Sequence, residues 1–227
     1  KESHIVPNYL SFVRKIIFTK TIENHADNYQ DIKVGKHISR ILDVSRNMRD
    51  CTVFVLEQLI PLMLAILLVN IFFLISNKKI FAVSIVGITI TIILLCVFGK
   101  KSVDASKERE KVYLDMSERI NDSFGNLMNV YLNNQNDLEI DKNKEIEQKH
   151  TDLYIKQLEV TRSLVFGLSA ISIVTFSIIL ILTYFIYKKR ELSGAQFMTI
   201  TIVLIYYLGY TMKISGELPH FLIKISI

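Results

Sequence analysis

Four stretches of the chain are strongly apolar and contain no charged residue. They cover residues 58–77, 80–99, 163–187 and 192–212. The hydrocarbon core of a bilayer is about 30 Å thick and takes about 20 helical residues to cross. A helix satisfies each of its backbone N–H and C=O groups within lipid, which an open strand does not. The pattern therefore predicts an all-α membrane protein with four transmembrane helices, rather than four buried helices of one soluble domain.

The spans alternate with two long polar segments and two short links. A helical lead-in extends the first span, so we expect the spans at 53–76, 80–99, 163–187 and 192–212, within a single transmembrane domain. Of the 27 Lys and Arg residues, nine lie in 1–50 and eleven in 100–162, whereas the links at 77–79 and 188–191 hold two and three. Cytoplasmic loops are enriched in Lys and Arg. Segments 1–52 and 100–162, the extension to residue 227 and both chain ends are therefore predicted to be cytoplasmic.

Composition argues against several other classes of protein. The net charge of +5 is small and not concentrated in one patch, which excludes a nucleic-acid-binding chain. Cys51 and Cys96 offer neither a metal-binding spacing nor a disulfide framework, and no catalytic, cofactor or metal site is predicted. The chain begins at Lys1 without a signal-peptide pattern, so we expect it to be part of a longer protein.

The polar segment 100–162 has the pattern of two long helices joined by a turn. Its apolar residues recur at steps of three and four, at Val112, Met116, Ile120, Phe124, Leu127 and Tyr131. This periodicity predicts one continuous helix from Ile80 to Tyr131. The polar run 132–137 favours a turn. A second helix is expected from Leu138 to Arg162, leading directly into the third span.

The N-terminal segment has the pattern of a second, shorter hairpin. Residues 8–20 predict an amphipathic basic helix, 24–28 form a polar tip, and Val34-Gly35-Lys36 opens a helix that continues into the first span. At the other end of the chain, the segment from Gly209 is helical in character until Pro219. Both long polar segments would thus be helical hairpins that extend from the spans.

These segments resemble the first and second cytoplasmic loops of type I ABC exporters. The residues that carry the first resemblance are Arg14, Ile17-Phe18, the polar run 24–31, Val34-Gly35, Ser39-Arg40-Ile41 and Asp43. Residues 117–137 are similar to the second loop, with Glu118 opening the helix and Val130-Tyr131 ahead of the tip. The order of loops and spans also agrees. Asn133-Asn134-Gln135 departs from the residues usual at that tip.

The resemblance implies two coupling helices that dock on ATP-binding domains. They correspond to Asn24, His25, Ala26, Asp27 and Asn28, and to Tyr131, Leu132, Asn133, Asn134 and Gln135. Tyr131 and Leu132 are the expected anchors, because aromatic and aliphatic side chains fill docking pockets. The resemblance also implies two further spans upstream, a second transmembrane domain in a homo- or heterodimer, and an ATP-binding domain on the same polypeptide or a separate subunit. ATP and Mg²⁺ would bind that domain.

This chain is not expected to bind or hydrolyse ATP. Residues Leu192-Ser193-Gly194-Ala195-Gln196 resemble the signature loop of ATP-binding domains, but they open the fourth span. No phosphate-cradling GxxxxGK[ST] motif occurs in the sequence. We therefore interpret Gly194 as part of a turn.

Polar residues within the spans are candidates for a substrate pathway. The four selected are Asn70, Thr199, Tyr206 and Tyr210. Such side chains also hydrogen-bond to neighbouring backbone in membrane helices, and that structural role is the alternative. The sequence thus predicts the membrane-spanning part of an ATP-driven exporter. The alternative function is a four-span signalling or scaffold protein with a cytoplasmic helical interaction arm.

Overall fold

The structure is a computed structural model, and it describes the backbone of residues 2–24 and 34–226 and the side chains of 6–23 and 41–225. Its elements are α1 (Glu2–Asn24), α2 (Val34–Phe54), a π-helical segment (Val55–Leu59), α3 (Ile60–Ser76), α4 (Lys78–Gly125), α5 (Leu127–Leu132), α6 (Asn136–Lys188) and α7 (Gly194–Ser226). No strand occurs in this described part, and the predicted all-α class is confirmed.

In the described part of the chain, four helices are long and apolar enough to cross a membrane. They are Ile41–Ser76, Lys78–Gly125, Asn136–Lys188 and Gly194–Ile225. Each contains all but one or two residues, or the whole, of one apolar stretch of the sequence. The four membrane spans are therefore confirmed by the length and composition of the helices.

Contacts divide the chain into two units. The first, which we call the loop unit, comprises Lys1–Phe54 and Glu108–Tyr154. The second, the span unit, comprises Val55–Lys107 and Ile155–Ser226. The loop unit therefore contains the two polar hairpins, and the span unit contains the apolar stretches.

The core of the span unit is built from α3, α4, α6 and α7. Its buried side chains are Phe73, Ile80, Ile179, Ile186, Leu192, Ile200, Leu204 and Tyr207. The rings of Phe73 and Tyr207 pack edge to face, with centroids 5.7 Å apart. Lipid is as apolar as these side chains, so close packing, rather than transfer out of water, holds such helices together.

A π-helical segment precedes Pro61 in the first span. Proline lacks a backbone N–H, and its ring clashes with the carbonyl four residues earlier, here that of Glu57. Val55–Leu59 is wound as a π-helix, and α3 restarts at Ile60 with Pro61 in its first turn. The wider turn separates α2 from α3 without ending the helical path of the span.

The prediction of one helix from Ile80 to Tyr131 was wrong beyond Gly125. Helix α4 ends at Gly125, and α5 is a separate short helix from Leu127 to Leu132. Glycine is a poor helix former, which favours an end at this position. The side-chain amide of Asn126 donates to the backbone carbonyl of Asp122 at 3.1 Å. Because α5 is itself helical, the apolar period continues across the break, so periodicity alone does not reveal it.

The prediction that the last helix stops at Pro219 was also wrong. Helix α7 continues through Pro219 to Ser226. Pro219 is fully buried, and Phe221 and Ile223 beyond it are buried as well. Packing of these side chains in the span unit offsets the backbone hydrogen bond that proline removes.

Candidate functional site: the α5 tip and the cavity between the spans

Helix α5 ends in a tightly capped turn. Asn134 has a φ of 53°, in the left-handed region that Asn tolerates better than most residues. Its N–H bonds to the carbonyl of Tyr131 at 3.1 Å, and the N–H of Gln135 bonds to the carbonyl of Val130 at 3.0 Å. This pair of bonds is the Schellman motif. The unusual Asn133-Asn134-Gln135 run therefore has a local structural reason.

One hydrogen bond joins the end of α4 to the start of α6 beside this turn, and a second bond, within α6, holds the same acceptor. Ser123 Oγ donates to Glu139 Oε2 at 2.9 Å, and Lys142 Nζ donates to Glu139 Oε1 at 2.8 Å. These two contacts, that of Lys142 first, lower the pKa of the Glu139 carboxyl below its ordinary value. Glu139 is thus a bridge between the helices that flank α5.

The tip exposes a set of large apolar side chains, which we call the docking face. Phe124, Met128, Tyr131 and Leu132 are 70 %, 72 %, 61 % and 72 % exposed. Met128, Tyr131 and Leu132 belong to α5, and Phe124 is the last residue but one of α4. Large apolar side chains left in solvent at the tip of a hairpin indicate an interaction surface.

The structure places the predicted second tip residues together on this exposed turn. Tyr131, Leu132, Asn133, Asn134 and Gln135 are all exposed. The sequence prediction omitted two members of the docking face, Phe124 and Met128. Both belong to the apolar period of the segment, and counting back from Tyr131 by three and seven residues finds them.

The first predicted tip lies mostly outside the described residues. Asn24 is the last residue of α1, and His25, Ala26, Asp27 and Asn28 belong to the part that is not described. The helices on either side are joined in the loop unit. Arg14 Nε donates to the buried Ser45 Oγ at 3.2 Å, and the hydroxyl groups of Thr52 and Tyr9 lie 3.0 Å apart. Helices α1 and α2 therefore form a hairpin, as their sequence pattern predicts.

An aromatic cluster joins α4 and α6 within the loop unit. The guanidinium of Arg109 lies over the ring of Tyr154, with its carbon 5.1 Å from the ring centroid. The ring of His150 lies between Tyr113 and Tyr154, at centroid distances of 5.8 and 6.3 Å. Cation–π and stacking contacts of this type hold two helices in one register.

The span unit contains a cavity of about 630 Å³. It lies among α3, α4, α6 and α7 and is lined mostly by aliphatic side chains. The polar residues in its lining are Asn70, Thr91, Ser172, Thr175, Tyr207 and Thr211. A cavity of this size is in the range of small-molecule sites, about 300–1,000 Å³.

Asn70 anchors a buried hydrogen-bond network beside this cavity. Its amide donates to the carbonyl of Ile66 at 2.8 Å, and its Oδ1 accepts from Ser84 Oγ at 2.7 Å. The Tyr207 hydroxyl lies 3.1 Å from Ser84 Oγ. Ser84 has one proton, so with that proton given to Asn70 the phenol of Tyr207 donates to Ser84. The network ties α3, α4 and α7 together.

Only one of the four predicted pathway residues lines the cavity. That residue is Asn70. Thr199 is exposed and donates to the carbonyl of Ala195 at 2.9 Å, which is the structural alternative considered from the sequence. Tyr206 is exposed and Tyr210 is half-buried, and neither is in the lining. The tyrosine that lines the cavity is Tyr207, which follows Ile200 and Leu204 on the buried stripe of α7.

Comparison with protein-family models gives a match over most of the chain. Residues 8–212 match the model of the ABC transporter transmembrane region. The matched segment includes the docking face, all four apolar stretches and the cavity lining except Ile214 and Leu218. A search of curated proteins finds no match.

Proposed function

Since the chain belongs to the family of ABC transporter transmembrane regions, we propose that it forms the substrate pathway of an ATP-driven exporter and couples ATP-binding domains to alternating access. Membership makes the chain an integral membrane protein and the membrane part of an ABC transporter. The docking face is the observation on which the proposal rests. It consists of four large apolar side chains in solvent at the end of α4 and on α5, and two hydrogen bonds cap the end of α5.

The proposed partner of the docking face is an ATP-binding domain. Met128, Tyr131 and Leu132 would fill an apolar groove on its surface, because buried aromatic and aliphatic anchors dominate the energy of such interfaces. ATP and Mg²⁺ would be bound by that domain, which belongs to the same polypeptide or to a separate subunit. On this proposal the chain supplies no catalytic group.

The long helices provide a physical route for the coupling. Helix α4 has 48 residues and is roughly 72 Å long at 1.5 Å per residue. No glycine or proline interrupts it between Gly99 and Gly125. Hinges need residues that absorb large dihedral changes, so such a helix transmits a displacement of its Gly125 end rather than absorbing it. The aromatic cluster around His150 adds stiffness in the loop unit.

The proposal includes a second transmembrane domain and a defined orientation. Four helices do not enclose a pathway alone, so the partner is a second copy or a related chain. The excess of Lys and Arg in the long polar segments supports their cytoplasmic location, together with both ends of the chain.

An ATPase measurement on the purified full-length protein, with any subunit that co-purifies, tests the coupling. The variant replaces the two anchors, Tyr131→Ala with Leu132→Ala. The control replaces two apolar residues of α6 with comparable exposure and no place on the docking face, Ile155→Ala with Leu158→Ala. We expect the anchor variant to lose at least about tenfold in turnover, because each hot-spot truncation costs about 2 kcal/mol or more. Equal activity of the two variants would contradict coupling through α5.

A further inference from the structure

The cavity of the span unit is long and narrow. Its lining runs from Leu59 to Leu74 along the first span and from Phe81 to Leu95 along α4. At about 1.5 Å per residue each run is roughly 20 Å long, so a volume of about 630 Å³ gives a mean cross-section of roughly 30 Å². An extended hydrocarbon chain matches this shape better than a compact molecule of the same volume.

One side of the cavity is open to the surroundings of the span unit. Met63, Leu67 and Ile92 belong to the lining and are 59 %, 54 % and 54 % exposed. In a bilayer the medium around an apolar span is lipid. Wherever no other span covers this side, a hydrocarbon chain reaches the cavity sideways without leaving an apolar environment.

A single buried amide gives the cavity a polar end. Asn70 is 7 % exposed and lies in the lining. A carboxamide has two amide protons, and one of those of Asn70 is donated to the carbonyl of Ile66. Among the residues that the structure describes, the other proton has no acceptor. An unpaired buried donor is costly, and a ligand oxygen placed beside it removes that cost.

We propose that the cavity binds a single-chain amphiphile whose carbonyl or carboxyl oxygen accepts a hydrogen bond from Asn70. The hydrocarbon chain runs from Asn70 towards Leu59, a distance of roughly 16 Å along the helix, whereas the opposite end at Leu74 is only roughly 6 Å away. With carbon–carbon bonds of about 1.5 Å in a zigzag chain, roughly 12 carbons fill the longer arm. The site thus selects both an oxygen acceptor and a chain length.

Tryptophan fluorescence tests this site on the full chain in lipid nanodiscs. This chain has no tryptophan, so the unmodified chain in the same nanodiscs gives the background and one introduced residue gives the signal. Ile92→Trp places the reporter in the lining near the Leu59 end. Ile93→Trp is the matched control, since the neighbouring Ile93 is 57 % exposed and outside the lining. The probe is dodecanoic acid with bromine on its last two carbons, because bromine quenches tryptophan at contact.

We expect saturable quenching at Ile92→Trp and quenching at Ile93→Trp that only rises in proportion to the probe in the bilayer. Adding Asn70→Leu to Ile92→Trp should raise the half-saturating concentration of the brominated dodecanoic acid by roughly three- to tenfold. This is the effect of one lost hydrogen bond. Terminally brominated dodecane lacks the oxygen, so its half-saturating concentration is unchanged by Asn70→Leu. That second probe also shows that the variant keeps its fold.

A brominated phospholipid in the nanodisc distinguishes the source of the chain. Saturable quenching at Ile92→Trp that added dodecanoate reverses supports the site and identifies bilayer lipid as an occupant. Saturation by dodecanoate alone supports the site with a free amphiphile as occupant. Parallel, unsaturable quenching at both reporters with every probe overturns the proposal. No ATP is involved, so this result and that of the ATPase measurement are independent of each other.

Discussion

At the scale of single residues, Gly87 sets how closely α4 and α6 pack in the span unit. A Cβ built on Gly87 lies 2.5 Å from Cγ2 and 2.6 Å from Oγ1 of Thr175. Real side-chain contacts are not that short, so only glycine allows this approach. Small residues at helix crossings are the usual device for close packing within membranes.

Gly87→Ala is therefore expected to destabilise the protein by about 1–3 kcal/mol, the cost of overpacking a well-packed site. Thr175→Ala removes both clashing atoms, so the double variant should recover most of the loss. Gly167→Ala is the control, since a Cβ there has nothing within 4 Å. Thermal unfolding in detergent, followed by circular dichroism, provides the comparison. If Gly87→Ala and Gly167→Ala have the same effect, the close approach of the two helices is not real.

The residue scale is also where prediction from sequence was weakest. Tyr206, Tyr207 and Tyr210 lie in one uncharged span, and composition does not distinguish them. Their environments depend on which side of α7 faces α3 and α4, and that side is set by packing between helices. A helical spacing of four and then three residues relates the buried positions Ile200, Leu204 and Tyr207. The exposed positions of the same span are equally apolar, so the sequence does not show which set is buried. In lipid the contrast that identifies a core face in water is missing.

At the scale of elements, the Asn134 cap fixes the shape of the tip. An ordinary side chain at φ 53° is strained, whereas glycine is not. Asn134→Gly should therefore preserve the ATPase activity of the full-length protein, and Asn134→Val should reduce it by several-fold through a cost of about 1–2 kcal/mol in the docked turn. Asn133→Val is a control at ordinary backbone angles. Equal activity of the Asn134→Val and Asn134→Gly variants would show that the capped turn is not needed for coupling.

The Glu139 bridge makes the tip sensitive to acid. The folded pKa of this carboxyl is lowered from 4.5, so its contribution is complete above about pH 4.5 and is lost as the pH falls through the folded value. Protection of the backbone amides of 123–140 against hydrogen exchange should therefore decrease below about pH 4.5. Glu139→Gln should have lower protection at neutral pH and little further loss in acid. A wild-type tip whose protection is the same at pH 6 and pH 4 contradicts the bridge.

Elements were predicted well where one physical rule dominates. Four uncharged stretches predict four spanning helices because lipid leaves the backbone no alternative. The end of α4 at Gly125 and the passage of α7 through Pro219 were missed. At Gly125 a short second helix preserves the apolar period, and at Pro219 buried neighbours outweigh the local penalty. The first error overlooks a local rule, the low helix propensity of glycine, and the second arises where tertiary packing overrides one.

At the scale of the whole molecule, the family match and the docking face support one account. The match establishes the membrane part of an ABC transporter. The docking face is where an ATP-binding domain would bind, and α4 is the helix that would carry its displacement to the spans. A four-span signalling or scaffold protein would also have an exposed apolar tip. Coupling to ATP distinguishes the transporter from that alternative and is therefore the central claim.

The most direct test is a photo-crosslink from the docking face in membranes of cells that express the full-length protein. A benzoylphenylalanine at Met128, which is 72 % exposed, captures whatever lies against α5, and the same residue at Ile155 is the control. We predict that mass spectrometry will find the Met128 product on an ATP-binding domain, with a yield that changes when ATP and Mg²⁺ are added. Crosslinks at Met128 only to lipid, or only to proteins without an ATP-binding domain, would contradict the account.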